Sequence, residues 1–177
     1  METYPFIEVA MACSDVNKME EFWCDMFDGK VIFRGSMMGD PFSRMVACGI
    51  TFVFREDRNF KLPPGLGQEF HFHNHLGLRV KNLDEAVQEL SAKGAQFALT
   101  PEMVRHFQQS TDKDAKPLLQ TDYIAPPLTA ERIAAGEFKI DVAILVGPDN
   151  LWIELNEVKE PADTGWFPGL EHASAVG

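Results

Sequence analysis

Sliding the chain against itself by 67 positions lays Phe6-Ile-Glu-Val-Ala-Met-Ala12 on His73-Asn-His-Leu-Gly-Leu-Arg79 and sets Glu8 on His75. A chain that writes one unit twice is constrained to fold as two similar halves. Both segments read as strands whose side chains alternate between two faces, the period of a β-strand. The same shift puts Asp15 on Asn82, Val16 on Leu83, Met19 on Ala86 and Trp23 on Leu90. Each strand thus leads through a polar cap into an amphipathic helix, with Asp15 or Ser14 able to cap the first and Asn82 the second. Val16, Met19, Phe22, Trp23, Met26 and Phe27 recur at helical spacing, as do Leu83, Ala86, Val87 and Leu90, and these are core faces. Asp28-Gly29 and Lys93-Gly94 end the helices, and strand patterns follow at 30–34 and 96–99. Further strand signal lies at 44–47 and 50–55 in the first half and at 140–146 and 151–156 in the second. The predicted unit is strand, helix, three strands, written twice.

The expected boundaries are a first module over 1–61, a linker over 62–70, a second module over 71–157 and an irregular tail over 158–177. The linker contains Leu62-Pro-Pro-Gly-Leu-Gly67, which continues neither helix nor strand. The second module carries an insertion at 100–138, with Pro126-Pro127 and a helical pattern over 129–135. A connection of that length in a compact domain is commonly a lid or a binding loop.

Composition narrows the function. The chain has 177 residues, 45% of them hydrophobic, with 14 Phe and 3 Trp, enough to build a core without disulfides. A formal net charge of −11, with no clustered Lys/Arg stripe, argues against nucleic acid and against anionic membrane surfaces. Cys13, Cys24 and Cys48 have no CxxC spacing and read as reduced thiols. With no signal-like N-terminus and no apolar run of membrane-spanning length, a cytoplasmic location is expected.

Chemistry concentrates on two distant segments. His75 in His75-Leu-Gly-Leu-Arg-Val80 and Glu154 in Leu151-Trp-Ile-Glu-Leu155 each stand opposite their strand's apolar row, so each faces water or an enclosed site. His71 and His73 share the strand parity of His75, and so does Arg79. His73 is a candidate proton-transfer group, and Arg79 a candidate partner for a substrate carboxylate. In the insertion, Tyr123 and His106 are further proton donors, and Arg105, Lys113, Lys116 and Arg132 its main cations.

These segments, above all His75-Leu-Gly-Leu-Arg-Val-Lys-Asn-Leu-Asp84 and Gly147-Pro-Asp-Asn-Leu-Trp-Ile-Glu-Leu155, resemble the vicinal oxygen chelate superfamily of glyoxalases, bleomycin-resistance proteins and extradiol dioxygenases. The resemblance implies an α+β fold of two paired βαβββ modules whose curved sheets form a cup around a divalent metal. It places metal ligands at Glu8, Val53, His75 and Glu154. Val53 cannot bind a metal, which leaves Glu8, His75 and Glu154, a ligand pattern with the geometry of the extradiol subgroup. One histidine and two carboxylates suit Fe²⁺, Mn²⁺, Ni²⁺, Zn²⁺ or Mg²⁺. The implied function is a metal-dependent enzyme, an isomerase or lyase or a ring-cleaving dioxygenase, acting on a small substrate that chelates through vicinal oxygens. The resemblance also implies a homodimer. The alternative from another class is a metal-free binding protein that sequesters a small cationic molecule.

Overall fold

The computed structural model describes residues 8–62, 75–109 and 141–157. Over them the chain runs β1 (Val9–Cys13), α1 (Val16–Phe27), β2 (Lys30–Met37), β3 (Asp40–Ala47) and β4 (Ile50–Glu56). It continues through β5 (His75–Val80), α2 (Leu83–Ala92), β6 (Gln96–Leu99), α3 (Pro101–Gln109), β7 (Val142–Val146), a single 3-10 turn (Pro148–Asn150) and β8 (Trp152–Glu157). Two four-stranded mixed sheets result, ordered β1-β4-β3-β2 and β5-β8-β7-β6. In each, the first strand runs parallel to the last, with Val9 beside Phe52 and His75 beside Trp152, and the remaining pairs are antiparallel. The fold is α+β, and the repeat read from the sequence is a repeat of topology.

Local chemistry sets the helices. Asp15, in extended conformation at φ −155°, accepts hydrogen bonds from the Asn17 and Lys18 backbone N–H groups and so starts α1. The helix leaves through Asp28 at φ 52°, and the Gly29 N–H donates to the Trp23 carbonyl at 2.9 Å. A Cβ at Gly29 would lie 2.7 Å from Met45 Cε and 2.8 Å from the Trp23 carbonyl oxygen, so only glycine closes this turn without displacement. In α2 the cap is Asn82, whose side chain accepts from the Glu85 N–H.

The strands sort their faces by parity. In β3, Ser43, Met45 and Ala47 are buried beneath the helices, whereas Phe42, Arg44 and Val46 look out from the open face and are half-buried. Trp23 stacks on Phe52 at 4.4 Å between ring centroids, and Phe52 stacks on Phe54 at 5.8 Å. This cluster does not stop at the module boundary. Leu78, Leu83, Leu90, Ala143, Leu145, Ile153 and Leu155 from the second half belong to the same core. The helix-bearing faces of both sheets therefore meet in one shared core, and the two open faces lie outside it.

A polar clasp locks the halves. The Asp149 carboxylate accepts from the Ser14 backbone N–H at 2.7 Å and from the Ser14 hydroxyl at 2.5 Å. Asp149 holds a left-handed φ of 57°, which a residue with a Cβ adopts at a cost. Close by, Gly147 packs against the Phe22 ring, where a Cβ would sit 3.1 Å from Cζ.

The structure extends the expectations in two places. β2 and β3 form a long hairpin over Lys30–Met37 and Asp40–Ala47, turned by Met38 (φ 55°) and Gly39 (φ 89°). The insertion opens with helix α3, whose Val104 joins Leu99, Val142, Ile144 and Trp152 in a second small core on the open face of the β5–β8 sheet. All of the expected 62–70 linker after Leu62, the helix over 129–135 and the tail over 158–177 lie outside the described residues.

Candidate functional site

The open face of the second sheet carries the candidate site. His75 opens β5 opposite Trp152, and Glu154 lies in register with Gly77 on one side and Ile144 on the other. With no side chain at Gly77, the carboxylate can lean toward the imidazole one level down. His75 Nε2 stands 3.5 Å from Glu154 Oε2, with the two side chains 23% and 21% exposed. Trp152, 3% exposed, and Ile144 wall this pair on the side that α3 covers, through Val104. Two ligands each about 2.1 Å from one ion are separated by roughly 3 to 3.5 Å, so this spacing suits a shared divalent cation. The pair is half-buried rather than sealed, which leaves an approach for substrate oxygens.

Glu8 stands elsewhere. It lies just before β1 on the open face of the first sheet, where Ala10 pairs with Val53 and Val53 pairs with Arg44. Its carboxylate accepts from Arg44 Nη2 at 2.8 Å, in a half-buried ion pair. Among the described residues no three His, Cys, Asp or Glu side chains gather as a metal-binding group. Within one chain the structure thus brings His75 and Glu154 together and holds Glu8 apart, with the shared core between the two open faces. Arg79 pairs in register with Asn156 on the His75 face, two residues along the strand from the level of Glu154, and also borders a cavity of about 390 Å³ between the ends of α1 and α2. His73 and Tyr123 lie outside the described residues.

Arg105, one of the insertion's cations, is committed to structure. Its guanidinium reaches both oxygens of Asp84 at 3.1 Å and Asp141 at 2.9 Å, and these hydrogen bonds hold its pKa above the ordinary arginine value. His106 is exposed on α3. The cysteines are not poised as nucleophiles. Burial, then the Asp149 charge, pushes the Cys13 thiol up to about 12, and desolvation raises that of Cys24. Sequence reading passed over Arg44. Its signal was parity: it is a charged residue flanked at two-residue spacing by Phe42 and Val46, and it pairs in register with Val53.

The Glyoxalase/Bleomycin resistance protein/Dioxygenase superfamily model matches residues 6–114, well over half of the chain. The chain belongs to this superfamily. No curated protein sequence matches it. Among solved structures it is similar to the genomically encoded fosfomycin resistance protein FosX from Listeria monocytogenes, with a TM-score of 0.57 at 13% identity over 92% of this chain and 99% of that one. A point mutant of that FosX, complexed with Mn(II) and 1S,2S-dihydroxypropylphosphonic acid, is similar at a TM-score of 0.54 and 13% identity, over 90% of this chain and 96% of that one. A glyoxalase family protein from Enterococcus faecalis is similar at a TM-score of 0.55 and 15% identity, over 86% and 97%. At these identities the likeness is one of fold. No helix among the described residues is long and apolar enough to cross a membrane.

Proposed function

We propose that this protein is a metal-dependent enzyme acting on a small substrate that chelates a divalent ion through adjacent oxygens. The observation that carries the reading is the half-buried His75–Glu154 pair, 3.5 Å apart on an open sheet face. An imidazole and a carboxylate walled by Trp152 on that face supply two ligands at suitable spacing. Glu8 is the third ligand, and it comes from a second copy of the chain. The open faces lie outside the shared core, so the face bearing Glu8 in one protomer closes over the face bearing His75 and Glu154 in another, which makes the functional unit a homodimer. The metal supplies Lewis-acid polarisation of the chelated substrate oxygens. Glu8 and Glu154 offset its charge, Trp152 and Ile144 restrict water on one flank, and His73 and Tyr123 serve as proton-transfer groups. FosX has been crystallised with Mn(II), which makes Mn²⁺ the first ion to test here.

Titration of the purified protein with Mn²⁺, followed by calorimetry and elemental analysis, is expected to give about one ion per chain. His75→Ala and Glu154→Gln should each weaken binding by at least about a hundredfold, on the scale of losing one ligand of three. A wild-type protein that binds no divalent ion contradicts the reading and favours the metal-free binding protein instead.

A further inference from the structure

We propose that Asn156 binds a third, uncharged polar group of the substrate, so that the site takes chelators whose two metal-binding oxygens are followed by a hydroxyl or an amide on the next carbon. The inference rests on the metal-site reading above and names the substrate class for it. Trp152, Glu154 and Asn156 alternate along β8 and so share the open face of the second sheet. Asn156 is thus the next residue on that face after the Glu154 carboxylate. Two residues along a strand lie roughly 6.6 Å apart, so its amide stands one step beyond the His75–Glu154 pair.

Its neighbours turn the amide toward that pair. Asn156 lies in register with Val142 on one side and Arg79 on the other. Val142 is buried in the small apolar core that Val104 of α3 closes, and its side chain offers the amide no partner. Toward β5 the space is open, because Gly77, level with Glu154, has no side chain. A Cβ built on Gly77 would meet one neighbour within 4 Å, the Asn156 Nδ2 at 3.7 Å. The amide therefore leans along the sheet toward the level of Glu154 and overhangs the vacant place at Gly77.

The scaffold leaves this amide unserved. Asn156 is 8% exposed, yet among the described residues nothing hydrogen-bonds its side chain. The other buried polar side chains among them, Glu20 and Ser43, bond each other, and Glu20 also holds Arg34. A buried amide calls for a partner, and here the open side is the one from which substrate approaches the His75–Glu154 pair. An amide donates and accepts hydrogen bonds without adding charge, so the group it takes is a hydroxyl or another amide. A chelator with only a methyl at this place leaves the amide unpaired, and the site discriminates against it.

The test uses full-length protein loaded with Mn²⁺ and two probes that differ by one hydroxyl, lactate and glycerate, each titrated by ¹³C line broadening in wild type, Asn156→Leu and Asn156→Ala. Wild type is expected to bind glycerate about fivefold or more tightly than lactate, on the scale of one net hydrogen bond. Both variants should bind Mn²⁺ and lactate within about threefold of wild type and lose the preference for glycerate. Asn156→Ala is smaller than the native residue and gives the reading even where leucine disturbs the packing against Val142. Equal affinity for the two probes in wild type, or a preference that survives in either folded variant, overturns the proposal while leaving the metal site standing. Loss of Mn²⁺ binding in the folded variants overturns it as well, and reduces Asn156 to a support for Glu154. Wild-type protein that takes up no Mn²⁺ removes the site reading and this proposal together.

Discussion

At the scale of single residues, side chains of one chemical type are sorted by what surrounds them. Cys13 is fully buried and donates its S–H toward the Arg55 carbonyl at 3.6 Å. Its thiol, ordinarily near 9.0, is pushed up to about 12 by desolvation and by Asp149. Between those values the unfolded chain gives up this proton and the folded chain keeps it. Stability is thus fully present below about pH 9 and declines as pH rises toward 12, with a slope of up to about 1.4 kcal/mol per pH unit from this group. Urea denaturation of wild type and Cys13→Ser at pH 8, 9.5 and 11 should show the difference between them changing in favour of the variant as pH rises. A difference independent of pH counts against it. His75 and Glu154 were legible in the sequence because strand parity isolates them from an apolar row. Arg44 was not, because its ion pair with Glu8 spans from β3 across β4 to the start of β1, a placement that only the folded sheet sets.

At the scale of elements, legibility followed the strength of the local signal. α1 and α2 were readable from the caps Asp15 and Asn82 and from apolar residues at helical spacing, and both helices form where the caps put them. The strand ends were less so. Asp40 and Pro41 look like loop, yet both pair in β3, since the turn through Met38 and Gly39 extends the hairpin by two residues past Gly35 on each side. α3 escaped because its inward face rests on few residues, with Val104 buried against Ile144 and Trp152 of strands distant in sequence. The turn before β8 makes a testable contribution. Asp149→Ala removes the two hydrogen bonds to Ser14 and is expected to cost about 1.5 to 3 kcal/mol. Chemical denaturation reads this loss directly, and an unchanged midpoint would show that packing of Phe22 on Gly147 suffices to hold the halves together.

At the scale of the molecule, the repeat implies two sheets with alike topology but not how they dock. Docking is decided by contacts between residues far apart in the chain, and the core running from Trp23 and Phe52 to Ile153 and Leu155 uses the helix-bearing faces of both. That choice separates Glu8 from His75 and Glu154 within one chain. The central claim is that two chains complete one site. Glu8→Gln and His75→Ala proteins, each defective alone, give a decisive pair when unfolded together and refolded as a mixture. If the site forms between copies, a mixed dimer holds one intact site, built from Glu8 of the His75→Ala chain and His75 of the Glu8→Gln chain. Tight Mn²⁺ binding should then reappear in the mixed dimers at about one ion per two chains. A mixture that binds no better than its parents contradicts the account.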